Sequence, residues 1–273
     1  MNKKDFQNGY ALGFASGGVV AVEDTSKMDA LETVIDESGV LDSTEGTATE
    51  KVEQLIDKAE ELDVFQSVTT ITFDRTTFPS KEKANISLPN ISNLDNKFST
   101  WNKEPIPTID ELTLTAPKAK SISMLFYYCH SFRRVVLKLS NDIANMRYAF
   151  GPSNSIEEII LCFSTENVAN FNNCFGNSPI KTIEGALNFS SATDVASMFL
   201  SCGNLENVTF APNTLSLSMS LAQSGLLSAT SVQSIIDGLA TVETAQTLTL
   251  NKAIALTDEQ KDTIKNKGWT LVQ

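Results

Sequence analysis

The chain has 273 residues, 41% apolar and 20% charged, a globular composition with room for a sizeable core. Its 33 acidic side chains against 21 basic ones give a net charge of −12, which excludes nucleic acid held by a broad basic surface. No apolar run is long enough for a membrane-spanning helix, and one histidine with four scattered cysteines argues against a structural zinc site.

The charge is uneven. Residues 1–66 hold 5 basic and 15 acidic side chains, whereas residues 67–273 hold 16 and 18. Residues 1–23 read as a flexible tail with no convincing signal peptide. Lys3 and Lys4 give a basic start, but Asp5, Gln7 and Asn8 interrupt it, and Gly13, Gly17 and Gly18 weaken the apolar stretch that follows. Residues 24–63 read as an acidic helical attachment segment. Ser26 precedes Asp29 by three residues, and Met28, Leu31 and Ile35 share one face. Thr47 and Glu50 form a capping box before the stripe Val52, Leu55, Ile56, Ala59 and Leu62. Both stripes are too short for an autonomous coiled coil, so they pack on the rest of the chain or on other copies as a homo-oligomer.

From residue 64 to 273 the spacing apolar-x-x-apolar-x-apolar keeps returning. It appears as Val68-Ile71-Phe73, Ile109-Leu112-Leu114, Phe132-Val135-Leu137, Ile156-Ile159-Leu161 and Leu205-Val208-Phe210. A weakened copy starts at Ile180 and Ile183, where Gly185 replaces the third apolar residue. The starts at Ile109, Phe132, Ile156, Ile180 and Leu205 are almost evenly spaced, about two dozen positions apart, which is the period of leucine-rich repeats. In a strand, alternate side chains point to opposite faces, so Val135, Leu137 and Leu139 point one way, and Val136 and Lys138 the other. The first apolar residue of each copy is expected in the turn feeding the strand. One copy cannot bury this apolar set alone, but stacked neighbours bury it in one continuous core.

Between these strands, Ile122, Ile143, Val168 and Val195 are each followed three residues later by Leu125, Met146, Phe171 or Met198, which suits a short helix or turn on the outer side. The stretches ISMLFYYCHSF and VASMFLSCGNL resemble the MF-x-x-C-x-x-L repeat of the BspA-like leucine-rich family, through Phe126, Cys129 and Phe132 and through Phe199, Cys202 and Leu205. The two copies between them depart from that pattern. Phe150 and Phe175 stand at the expected cysteine, and Arg147 and Asn172 at the expected phenylalanine, a departure that bears on the evenness of the coil and not on the assignment. The implied fold is α/β: a leucine-rich-repeat solenoid of parallel strands with short helices or turns outside, preceded by the helical N-terminal segment.

Toward the C-terminus, Ser228–Ala240 predicts a helix with Val232, Ile235, Ile236 and Leu239 on one face. Leu248 and Leu250 predict a strand. Thr257–Lys267 predicts a polar helix capped by Thr257, with Glu259 in its first turn, followed by Gly268 and a last strand at 269–272. A polar last helix suits a capping repeat. This ending resembles the C-terminal repeats of leucine-rich proteins from gut Firmicutes and their phages, and the segment around DFQNGYALGFASGG resembles N-terminal parts of predicted phage tail or virion-associated proteins.

The sequence holds no G-x-S-x-G, P-loop, G-x-G-x-x-G or H-E-x-x-H motif. Cys129 and His130 are adjacent in the chain, whereas catalytic pairs are assembled from distant positions. The expectation is therefore no enzyme, no catalytic or metal residue and no cofactor. Cys129 and Cys202 are expected to be buried, Cys162 to face outward on the strand layer, and Cys174 to lie in the outer turn. The expected working surface is the concave strand face of Glu111, Thr113, Val136, Lys138, Ile160, Cys162, Glu184 and Thr209, with an apolar centre at Val136, Ile160 and Cys162. A secondary patch is expected at Phe126, Tyr127, Tyr128 and Tyr148. The expected partner is a protein or glycan on a bacterial cell surface or virion. In an alternative, the repeats are a spacer in a virion and the N-terminal helices oligomerise.

Overall fold

A computed structural model describes residues 83–99, 109–153 and 155–273. The tail at 1–23, the attachment segment at 24–63 and the copy at Val68–Phe73 lie outside the described residues. The fold is α/β, built on a parallel sheet of six strands in chain order: β1 (Lys83–Ser87), β2 (Ile109–Ala116), β3 (Phe132–Leu139), β4 (Glu158–Leu161), β5 (Thr182–Leu187) and β6 (Asn207–Phe210).

Each strand lies parallel beside the one before it, so the chain returns to the same end of the sheet between strands. The register joins Leu112 to Val135, Val135 to Ile159, and Ile159 to Ile183. A second row joins Ile86, Leu114, Leu137 and Leu161. All of these are buried, while the residues between them are half-buried or exposed. The alternation of apolar and polar residues therefore sets which face of the sheet is the core wall. Phe132 sits inside β3 and not in a feeding turn, because β2 and β3 stay paired back to Ile109 and Phe132. Ile156, Ile180 and Leu205 do precede their strands.

The opposite wall of the core is a column of phenylalanines. Phe98, Phe126, Phe150, Phe175 and Phe199 stack in succession with ring centroids 5.2–5.6 Å apart and interplanar angles of 15–18°. Phe132 meets Phe98 and Phe126 edge-on and ties the column to the sheet. Each buried side chain of this size contributes about 1.5–3 kcal/mol, and aromatic pairing adds about 0.5–1.5 kcal/mol.

This column corrects the alignment of the two middle copies read from the sequence. Phe126 N–H donates to Ala149 O, Phe150 N–H to Cys174 O, and Phe175 N–H to Met198 O. Phe150 and Phe175 are therefore counterparts of Phe126 and Phe199, and Met146 and Phe171 are counterparts of Ile122 and Val195. Apolar residues recur at every third position through these segments (Ile143, Met146, Ala149), so the pattern fits two registers; ring stacking selects the one displaced by three. A line of parallel bridges runs through Asn93, Ser121, Asn145, Asn170 and Asp194, with a longer step from Asn93 to Ser121 and near-equal steps after it.

The outer segments between these strands are turns and not helices. Their side chains close them locally. Asn93, Asn145, Asn170 and Asp194 each accept a hydrogen bond from the backbone N–H two residues on. The next residue is left-handed in every pass: Asn96, Met124, Tyr148, Asn173 and Ser197, with φ between 51° and 61°. A second left-handed position holds Tyr128, Asn177 and Ser201, and the cis Gly151–Pro152 bond occupies the corresponding place in the pass of Tyr148. Behind them Ser153, Ser178 and Cys202 donate to carbonyls of the preceding pass, at Cys129, Phe150 and Phe175.

At β5 the third apolar residue is not missing. Gly185 has φ +98°, and a Cβ there would stand 2.7 Å from Leu161 O. The strand bulges at Gly185 and regains the core with Leu187, which pairs with Phe210.

Among the described residues the sheet gains no seventh strand beyond β6. Helix α1 (Ala229–Gly238), capped by Ser228, packs against β6 instead. Its Ser231 and Ser234 hydroxyls accept hydrogen bonds from the N–H groups of Val208 and Phe210, at 3.0 and 2.9 Å. These donors would otherwise form an open sheet edge. The approach needs Gly238, where a Cβ would lie 2.6 Å from the Phe210 side chain. Val232, Ile235, Ile236 and Leu239 are buried, as the helical stripe predicts.

A second parallel sheet follows, of β7 (Met219–Leu221), β8 (Gln246–Leu250) and β9 (Trp269–Val272), with Leu248 opposite Leu271. Helix α2 (Asp258–Asn266) starts on a capping box made by Thr257 and Gln260, and Gly268 follows its Lys267 C-cap with φ +88°. Lys267 Nζ donates to the carbonyls of Ile236, Asp237 and Leu239 at 2.6–3.1 Å, which closes the C-terminal end of α1. Among the described residues no helix is long and apolar enough to cross a membrane.

Two substitutions test this account. Phe175→Ala opens a gap inside the ring column, between Phe150 and Phe199, and is expected to cost about 3–5 kcal/mol. Ser231→Ala strips the buried Val208 N–H of its acceptor and is expected to cost about 1–3 kcal/mol. Urea unfolding monitored by circular dichroism reads both.

Candidate functional site

The outer face of the six-stranded sheet carries all eight residues expected from the alternation. In register, Thr113, Val136, Ile160 and Glu184 form one row across β2–β5. Thr115 and Lys138 form the row beside it, continued by Cys162, which follows β4. Glu111, Thr113, Val136 and Ile160 are half-buried; Lys138, Cys162, Glu184 and Thr209 are exposed. The bulge at Gly185 interrupts the rows before β6, so Thr209 pairs with Ala186 and stands off the apolar centre at Val136 and Ile160.

One charged row escapes a reading of the sequence alone. Glu111, Arg134 and Glu158 are register partners on β2, β3 and β4. Arg134 Nε lies 3.4 Å from Glu111 and 3.7 Å from Glu158. Arg133 reaches Asp110 at 3.6 Å and Glu158 at 3.8 Å. Glu157 hydrogen-bonds Lys181 at 2.9 Å, and that bond with its charge holds the ammonium above its ordinary pKa. Opposite charges spaced by one repeat length are the available signal, at positions 111, 134 and 158. They bound the apolar rows on one side.

The secondary patch divides. Phe126 is fully buried in the ring column and is no part of an exposed surface; its counterparts in the neighbouring passes point inward too. The three tyrosines do converge. Tyr127 lies 4.7 Å from Tyr128 and 5.5 Å from Tyr148, nearly perpendicular to both. The Arg147 guanidinium stands 4.8 Å over the Tyr148 ring. Tyr128 is 40% exposed. Tyr128 and Tyr148 both have φ 53°, a left-handed backbone that costs a bulky residue about 1–2 kcal/mol. Burial raises the Tyr127 pKa, and Tyr128 and Tyr148 push it the same way. The phenol is therefore a neutral hydrogen-bond donor at physiological pH.

Cys129, Cys174 and Cys202 are buried and Cys162 is exposed. Cys174 lies in the outer turn, as expected, with its side chain turned into the core. Burial pushes the Cys129 and Cys202 thiols up to about 12 and raises Cys174 as well. A thiol in that state is protonated at neutral pH, the opposite of an activated nucleophile. His130 Nδ1 and the Ser155 hydroxyl are buried without a hydrogen-bond partner. Among the described residues no three His, Cys, Asp or Glu side chains cluster to hold a metal ion.

With this geometry in place, comparison of the chain with protein-family models, curated proteins and solved structures gives no match.

Thiol titration with an aromatic disulfide reagent at pH 8 is expected to find one fast cysteine, Cys162, with the other three reacting only on unfolding. The raised thiols also fix the alkaline behaviour. Above the ordinary cysteine value the unfolded chain ionises first, so stability is full below about pH 9 and is lost as pH rises toward about 12. Serines occupy the register of Cys129 and Cys202 in the two passes between them, at 153 and 178. A Cys129→Ser, Cys202→Ser variant is therefore expected to fold, and its melting temperature to fall less across that window.

Proposed function

We propose that the chain is a leucine-rich-repeat solenoid of the BspA-like kind, acting as a non-enzymatic recognition module on a bacterial surface or a virion. The observation that carries the reading is the outer face of the six-stranded sheet. There the half-buried Val136 and Ile160 sit side by side in register, between Thr113 and Glu184 in their own row and beside Lys138 and Cys162. Such a face combines an apolar centre with a charged border, the arrangement of protein-recognition surfaces. Backbone hydrogen bonds along the sheet hold it rigid, so little ordering entropy opposes binding. The partner is a protein, docked across several passes at once. The acidic segment at 24–63 attaches the module or assembles copies of it; the charge split supports this division of labour, since residues 1–66 carry most of the chain's net negative charge.

Val136→Asp with Ile160→Asp puts two charges into the apolar centre without touching the core. Full-length wild-type and variant protein are immobilised and exposed to solubilised bacterial surface proteins. Each retained protein is then purified and titrated against both. The expected result is a partner whose affinity falls at least about tenfold, or about 1.4 kcal/mol, in the variant. Equal binding by a variant that melts like wild type overturns the reading.

A further inference from the structure

The charged border of the sheet face is closed on itself. Arg134 stands between Glu111 and Glu158, Arg133 between Asp110 and Glu158, and Lys181 holds Glu157. Two other charges on the face are not matched in this way. Lys138 and Glu184 are exposed, and neither has an ion pair or a side-chain hydrogen bond among the described residues. Border charges that answer one another say little about a partner, whereas unanswered ones select the charge that can approach them.

The register fixes where these two stand. Lys138 lies two residues beyond Val136 on β3, and Glu184 lies on β5, in the row of Val136 and Ile160. Strand spacing and rise separate their Cα atoms by about 12 Å, along a diagonal of the sheet. Under the middle of that diagonal are Ile160 and the thiol of Cys162, a small hydrophobe, with Val136 to one side. Followed along this line, the face offers a cation, an apolar patch and an anion.

An extended peptide laid across the face would find no backbone partners, because the groups of the sheet already bond within its ladders. A helix closes its own hydrogen bonds and presents only side chains. Residues i and i+7 share a helix face about 10.5 Å apart, close to the length of the diagonal, and i+3 and i+4 fall between them. The helix dipole favours an acidic residue toward the N-terminus and a basic one toward the C-terminus, so such a helix runs from Lys138 to Glu184.

Resting on the sheet-face reading above, we infer that the partner docks through an amphipathic helix with an acidic residue at i, apolar residues at i+3 and i+4, and a basic residue at i+7. The acid pairs with Lys138, the apolar pair covers Ile160 and Cys162, and the base meets Glu184. The chain's own stripe does not supply this order: around Leu55 and Ile56 it has Val52 at i and Ala59 at i+7.

The probe is a displayed library randomised along one face of a fixed helical scaffold, selected on the full chain beside a library of unconstrained linear peptides. Helical binders with the acid, the apolar pair and the base at this spacing are expected to be enriched. Val136→Asp with Ile160→Asp is expected to lower the affinity of the best binder at least about tenfold. Lys138→Glu is expected to lower it at least about fivefold, and changing the binder's acid to lysine to restore it. Glu184→Lys is expected to do the same, with rescue by an acid in place of the binder's base. Both side chains are exposed, so each variant is expected to melt like wild type. Binders indifferent to the double aspartate variant, or no binder from either library, remove the sheet-face reading and this inference together. Binders that lose affinity on that variant but come from the linear library, or that ignore the charge swaps, leave that reading standing and overturn the inference. Tighter binding of a synthetic peptide of residues 47–62 than of any selected helix also overturns it, in favour of the chain's own segment as the occupant.

Discussion

The interaction on which this structure depends is contact between equivalent residues of neighbouring passes. A single pass presents a strand with two or three inward aliphatic side chains, one phenylalanine and a turn. It has no second layer of its own to bury them. Val135 is covered because Leu112 lies on one side and Ile159 on the other. Phe150 is covered because Phe126 and Phe175 stack on its two faces. The free energy therefore resides between passes, and it grows with each neighbour added. The turn chemistry is subordinate to this contact. Asparagine or aspartate side chains and left-handed residues bend the backbone so that each phenylalanine arrives at the same height.

A structure held together in this way has trouble at its ends, and the C-terminal side of the sheet shows one solution. β6 would expose a row of unpaired N–H groups. Instead α1 lies against it, and two serine hydroxyls take the place of the carbonyls that a seventh strand would offer. Val232, Ile235 and Ile236 bury the apolar end of the core at the same time. The helix is itself closed by Lys267, whose ammonium takes up three carbonyls near its C-terminus. An edge is thus traded for a helix end, and a helix end for one charged side chain reaching from the next helix.

Much of the sheet is legible in the sequence because its signal has two independent parts. Alternation along Val135, Val136, Leu137 and Lys138 gives the face, and the near-even recurrence of the apolar triad gives the neighbours. The two helices among the described residues are legible from their stripes and caps. The pass at 83–99 is not: the step from Asn93 to Ser121 is longer than those that follow, and the apolar triad is replaced by Ile86 and Leu88. The ring column is ambiguous in sequence, since apolar spacing alone fits two registers and only stacking separates them. Phe126 reads as a surface residue for a related reason. Three consecutive aromatics at 126–128 give no internal clue to which one turns inward. The face of Thr113, Val136 and Ile160 follows from alternation, whereas the ion row through Arg134 requires knowing which residues are register partners.

The replacement of a seventh strand by α1 also sets the direction in which this architecture can change in size. Past β6 nothing can be inserted without dismantling the serine and glycine fit that seats the helix. Between β3 and β4, by contrast, the ladder is free of bulges and the ring column is continuous. Duplication of one such block would widen the scaffold by a single strand spacing, about 4.8 Å, while both termini of the array kept their original neighbours. Growth by tandem duplication is therefore permitted in the interior and barred at the far end, which makes the molecule extensible in length yet closed to open-ended polymerisation along that side.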